Sequence, residues 1–116
     1  MDTKPTPLAG EVWDAFLDPI QGREQAGRRP VLVVSNDWFN TLERSLVIVV
    51  PITGTEARVR YQIEIDAGEG GLNKDSTILP EHVRSVDVSR LKKRRGRVAA
   101  ETLLRARQMV VTLLTD

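Results

Sequence analysis

The stretches PVLVVSND at residues 30–37 and LVIVVPI at residues 46–52 decide the fold. Each is a β-branched apolar run, too short for a helix and too continuous for a strand with one wet face. Both read as strands covered on two sides. Upstream, EVWDAF at residues 11–16 reads as another strand, with Val12, Asp14 and Phe16 on one side and Glu11, Trp13 and Ala15 on the other. Asp18-Pro19 ends it, because proline leaves a gap in a hydrogen-bonded ladder and restricts the residue before it. RYQIEID at residues 60–66 alternates cleanly, with Tyr61, Ile63 and Ile65 on its buried face, and AGEGGLNKD at residues 67–75 is a glycine-rich turn. In STILPEHVRSVDV, residues 76–88, STIL and SVDV look extended while PEHV also suits a helix opening at its proline; strand is expected.

From about residue 99 to 115 the period becomes helical. Glu101, Arg105, Gln108, Thr112 and Thr115 form one stripe, and Leu103, Ala106, Val110, Leu113 and Leu114 lie opposite. Five or so short strands followed by one helix predict a mainly β domain with a C-terminal α-helix, built as a small, strongly curved antiparallel sheet or barrel. Residues 1–9 read as a flexible N-terminal arm and residues 10–116 as a single domain. Valine-rich strands buried on both sides exceed what one helix covers, so a symmetric homodimer is expected.

Composition narrows the function. The chain has 116 residues, 41% apolar and 28% charged, which is ordinary globular usage. The lack of cysteine removes disulfides, thiolate catalysis and cysteine metal sites, and a lone histidine, His82, argues against a histidine metal cluster. No segment has signal-peptide or membrane-spanning character, so a soluble cytoplasmic protein is expected. Net charge is only +1, and any nucleic-acid binding must use a local patch. The arginines do cluster, as Arg23, Arg28 and Arg29 in one loop and as LKKRRGR at residues 91–97.

That loop, GREQAGRRP at residues 22–30, stands directly before a buried strand. Pro30 holds Arg29 extended at the sheet edge, while Gly22 and Gly27 leave the rest of the loop free to move. Arg29 is placed to clamp a phosphate bidentately; equally, Arg28 and Arg29 solvate a hairpin tip with Glu24 as partner. Thr53, in PITGT, either caps a turn or offers its hydroxyl to a phosphate oxygen.

Together these stretches resemble one family. Gly10 to Trp13, Asp18-Pro19, the loop Gly22-x-Glu24-Gln25-x-Gly27-x-Arg29-Pro30, Val49-x-Pro51-x-Thr53, the block DSTILPEHVRSVDVSRL and then GRV are similar to the MazF/PemK-type toxin endoribonucleases. That family is a branch of the small-barrel superfamily that also holds the CcdB-type gyrase poisons. The resemblance implies an SH3-like, CcdB/MazF-like barrel. It implies a sequence-selective mRNA interferase that cuts single-stranded RNA without metal or cofactor, leaving 2′,3′-cyclic phosphate and 5′-hydroxyl ends and inhibiting translation and growth. By the same resemblance Arg29 and Thr53 stabilise the phosphorane, and Glu24 accepts the 2′-hydroxyl proton or orients Arg29. Arg23, Gln25, Arg28, Ser35 and Asn36 are the implied RNA contacts. The implied partners are a second copy of the chain and an antitoxin with an acidic, partly disordered tail. The rival is a CcdB-type gyrase poison without nuclease activity, which needs no such arginine–threonine pair. Two residues depart from relatives. Arg23 stands at a loop position that is often small there, and adds positive charge near the cleft. His82 falls where relatives often carry glutamine, and is either a structural residue or a titratable group in the cleft. The run at residues 92–97 is a solvated edge or turn, or else an RNA track or antitoxin dock.

Overall fold

The computed structural model describes residues 6–17, 27–42 and 45–116. Along them run β1 (Glu11–Phe16), β2 (Arg28–Val33), α1 (Asp37–Asn40), β3 (Leu46–Thr53), β4 (Ile63–Ile65), β5 (Ser76–Ile78), β6 (Arg84–Asp87), β7 (Leu91–Arg97) and α2 (Ala100–Leu114). The strand order is β4-β5-β3-β2-β1-β7, with β6 also pairing β3, and every pairing is antiparallel.

Strand β3 is the pivot. One edge pairs β2, while the other pairs β6 through Leu46 to Val49 and β5 through Ile52 and Thr53. A short 3-10 turn, Val88–Arg90, leads from β6 straight into β7. Strands β7, β1, β2, β3 and β6 therefore curl round a common interior, and the sheet approaches a barrel without hydrogen-bonded closure among the described residues. The sequence expectation of a strongly curved, mainly β domain with a C-terminal helix holds.

The continuous apolar runs are explained by two cores on opposite faces of the same strands. Trp13, Ala15, Leu17, Val31, Val33, Val47 and Val49 point into the curl, where Val86, Val88 and Leu91 meet them. Their neighbours Val12, Leu32, Val34, Val50 and Ile52 point outward and are covered by Ile63, Ile65 and Ile78 of β4 and β5 and by Ala106 of α2. Valine-rich strands thus find both covers within one chain: Val31, Leu32, Val49 and Val50 are fully buried. A second subunit is not needed for those faces, and the ground for expecting a dimer shifts elsewhere. Among the described residues the large hydrophobics left exposed are Trp38 of α1, Leu104, Val111, Leu113 and Leu114 of α2, and Leu42 and Val59 in loops.

Several boundaries differ from the sequence reading. The strand at residues 60–66 is only three residues long, because Gln62 N–H turns back onto the Val59 carbonyl. The ambiguous block at residues 76–88 contains both readings, with two strands separated by the 3-10 turn Pro80–His82. Of the expected arm, the last three residues are docked. Pro7 is fully buried, and the Leu8 and Ala9 N–H groups donate to the carboxylates of Glu11 and Asp37, which dock residues 7–9 on the domain.

The basic run is strand β7, at the end of the strand order, with Lys92, Lys93 and Arg94 exposed, in keeping with the solvated-edge reading. Its register with β1 shifts twice, and Arg94 and Arg95 reach back to Glu11 and Asp14. Gly71, at φ 74°, abuts this strand so closely that a Cβ there would sit 1.9 Å from the Arg95 carbonyl oxygen. Only glycine fits.

Candidate active site

The register of β2 and β3 builds the site. Val31 pairs Pro51, Leu32 pairs Val50 and Val33 pairs Val49. Continuing this antiparallel register two residues beyond Val31–Pro51 sets Arg29 opposite Thr53, on one face of the sheet. The two residues line one cavity of about 210 Å³, together with Thr55, Arg58, Gln62 and Leu79. The Thr53 and Thr55 hydroxyl oxygens lie 3.3 Å apart, so each restricts the other's orientation. Arg29 and Leu79 also wall an adjoining cavity of about 360 Å³, where His82 and Arg84 join them.

The cavity wall beyond Thr55 comes from a segment that folds back. The Gln62 side chain accepts a hydrogen bond from the Arg58 N–H (2.9 Å) and donates one to Glu81 Oε2 (2.7 Å). Those bonds tie the Arg58–Gln62 turn to the Pro80–His82 turn. Among the described residues no carboxylate forms an ion pair with Arg29 or Arg58, although Glu56 lines the same cavity. Guanidinium and hydroxyl donors converging on one small open volume suit an anionic tetrahedral group such as a phosphodiester.

Other sequence-predicted residues take different places. Arg28 alternates away from Arg29, opposite Phe16, and its guanidinium lies 5.4 Å from that ring's centroid with the Lys92 ammonium at 5.6 Å. Ser35 is buried; its hydroxyl donates to Asn40 Oδ1 and accepts from the Ile48 N–H. The Asn36 side chain caps α1 by accepting from the Phe39 N–H at 2.8 Å. Ser35 and Asn36 border a separate cavity with Trp38 and Arg107 and are not brought to Arg29 and Thr53. Arg23, Glu24 and Gln25 lie outside the described residues. Thr55, Arg58 and Gln62 were not singled out from sequence. The threonine carried a signal, the T-x-T spacing of PITGT, whereas Arg58 and Gln62 arrive only through the fold-back.

Comparison with known proteins shows the family. Residues 8–114 match the family described as PemK-like, MazF-like toxin of type II toxin-antitoxin system. The chain belongs to this family. It is 42% identical over 87 residues to endoribonuclease MazF of Staphylococcus saprophyticus, covering 73% of this chain and 72% of that protein. The crystal structure of MazF from Deinococcus radiodurans superposes with a TM-score of 0.78 at 29% identity, over 95% of this chain and 97% of that one. A MazE-MazF crystal structure from the same organism gives a TM-score of 0.78 at 27% identity, over 95% and 97% of the two chains. No helix among the described residues is long and apolar enough to cross a membrane.

Within this MazF-like chain, His82 stands on the wall of the Arg29 cavity, exposed, with its Nε2 3.9 Å from Glu81 Oε2. The pH–rate profile of His82→Gln is expected to differ from that of the unsubstituted protein. Superimposable profiles remove the imidazole from the reaction.

Proposed function

We propose that the chain is the endoribonuclease toxin of a toxin–antitoxin module, cutting single-stranded RNA by attack of a ribose 2′-hydroxyl on the adjacent phosphorus. The single observation that supports this reading is that Arg29 and Thr53 line one cavity beyond the last β2–β3 pair.

In such a reaction the P–O bond to the 5′-oxygen breaks as the 2′-oxygen bonds phosphorus. The products are a 2′,3′-cyclic phosphate and a 5′-hydroxyl. Negative charge builds on the non-bridging oxygens, and preformed donors gain most there. Arg29 supplies charge and a planar fork of N–H groups. Guanidinium holds its proton at neutral pH, so Arg29 acts as electrostatic stabiliser or as acid toward the leaving oxygen rather than as base. Thr53, steadied by Thr55, donates to a second oxygen. Glu24 is proposed to accept the 2′-hydroxyl proton or to orient Arg29, with Arg23 and Gln25 as proposed RNA contacts; Arg28, beside Phe16, and Asn36, at the start of α1, are proposed to meet the strand away from the cavity, and the buried Ser35 to hold that segment in place. No metal or cofactor enters the proposal.

We further propose a cytoplasmic homodimer that pairs through the exposed Trp38, Leu104, Val111 and Leu114 surface. Its antitoxin presents an acidic, partly disordered tail. The likeness to MazF in its MazE complex supports an antitoxin partner. The test is incubation of purified protein with long RNA in excess chelator, followed by mapping of the ends. Cuts at a short recurring motif with cyclic phosphate ends are expected. Uncut RNA overturns the reading, and gyrase-dependent DNA damage in its place returns it to a CcdB-type poison.

A further inference from the structure

A groove of about 330 Å³ runs between the turn before β4 and helix α2, where Arg60, Gln62 and Ile63 face Arg105, Gln108 and Met109. Gln62 belongs to this groove and also to the wall of the Arg29–Thr53 cavity, so the two volumes adjoin. On its other side that cavity adjoins the one holding His82 and Arg84, through Arg29 and Leu79. The result is a continuous surface path. At one end stands Arg84, in the middle Arg29 and Arg58, and at the other end Arg60 and Arg105.

Charge along the path is one-sided at its far end. Among the described residues no carboxylate pairs with Arg60 or Arg105, both are exposed, and no acidic residue lines their groove. Two exposed guanidinium groups flanking one groove make it locally attractive to an anion. Gln62 and Gln108 add neutral donors and acceptors, and Met109 with Ile63 gives an apolar floor. Spaced cations over a partly apolar floor suit a sugar–phosphate chain with its bases splayed out, more than they suit an apolar protein segment.

We propose that this Arg60–Arg105 groove is an RNA subsite, gripping the strand on one side of the cleaved bond beyond the Gln62 wall. It rests on the nuclease reading above and adds α2 to the substrate-binding surface. The groove lies to one side of Arg29 and Thr53, so only one flank of the substrate enters it. The residues act in binding, not in bond cleavage.

The test compares the unsubstituted protein with the double variant Arg60→Gln/Arg105→Gln. Three oligoribonucleotides carrying the mapped cleavage motif are used: one minimal, one extended on its 5′ side and one on its 3′ side. Exposed arginines without ion pairs leave the fold intact on substitution, which the melting temperature checks. One extension is expected to lower KM for the unsubstituted protein, and the double variant is expected to raise KM on that substrate about tenfold with kcat unchanged. On the minimal substrate the two proteins behave alike. The salt dependence of binding to the extended strand flattens by about 1.4 log units per log unit of salt, the share of two phosphate contacts on a single strand. Equal KM values for both proteins on every substrate overturn the subsite, as does an equal loss on all three. A double variant that cuts normally yet escapes inhibition by an acidic peptide overturns it too, and makes the groove a protein dock. Failure of the unsubstituted protein to cut any substrate is a different result, which removes the nuclease reading itself.

Discussion

Replacing Arg29 by alanine is expected to lower kcat/KM for RNA cleavage about a thousandfold, and Thr53→Ala about a hundredfold. The difference follows from charge. Arg29 offers a cation and several donors to the phosphorane, whereas Thr53 offers one neutral hydroxyl whose loss Thr55, 3.3 Å away, partly covers. Both residues stand at the open end of the β2–β3 ladder, one exposed and the other half-buried. Their removal is therefore expected to leave the melting temperature within about 3 °C. Arg29→Lys separates geometry from charge. A lysine retains the cation but not the fork, and is expected to recover no more than about a tenth of the lost activity. Because the pair acts on one transition state, the double alanine variant falls little below Arg29→Ala. Cleavage that survives both single substitutions at more than a few per cent of the original rate would sink the assignment, and the cavity would then be a binding surface only.

What the sequence made legible depends on whether a residue's neighbours are set by period or by topology. The two-sided burial of β2 and β3 was readable, because an unbroken valine run admits few other structures. What covers those strands was not. A valine face closed by the curl of its own sheet and one closed by a second subunit have the same composition, and only the short Val88–Arg90 link from β6 to β7 decides between them. β7 itself had no apolar alternation to betray it. LKKRRGR forms a strand because β1 offers it a ladder, and its charges stay in solvent or turn back to Glu11 and Asp14. Tertiary pairing overrode local pattern there.

The candidate site divides in the same way. Arg29 and Thr53 were readable as a pair because each sits at a fixed offset from a buried strand, and antiparallel pairing then brings the offsets together. Arg58 and Gln62 reach the cavity through bonds that tie their turn to Glu81 in another, which no spacing along the chain encodes. Ser35 and Asn36 look from sequence like exposed polar residues after a strand. Their hydroxyl and amide are instead engaged in starting α1 and holding Ile48. Short polar residues after a strand serve helix caps as readily as ligands.

A second large effect is expected far from the cavity, at Glu11. This carboxylate is buried, at 5% exposure, and accepts hydrogen bonds from the Leu8 N–H (2.9 Å), the Trp13 indole (2.9 Å) and the Arg94 guanidinium (2.8 Å). Burial alone would raise its pKa; the Leu8 N–H, Arg94 and Trp13 outweigh that and hold it below the ordinary value. Glu11→Ala leaves two buried N–H donors unpaired and removes the anchor of β7 on β1, and is expected to cost about 3 kcal/mol. Arg94→Ala costs less, about 1 kcal/mol, since that side chain is half exposed and its ion pair is correspondingly screened. The sign of the pH dependence follows from the lowered folded value. Glu11 contributes fully above the pKa it has in the unfolded chain, and the contribution disappears as pH falls through the folded one. Denaturant unfolding of the unsubstituted protein and of Glu11→Gln should therefore differ most near neutral pH and converge only in acid, as pH falls below the ordinary glutamate value and through the lowered folded one. A stability difference that stays constant from neutral to acid pH would show that Glu11 acts through its shape and hydrogen bonds alone, with no share from its charge.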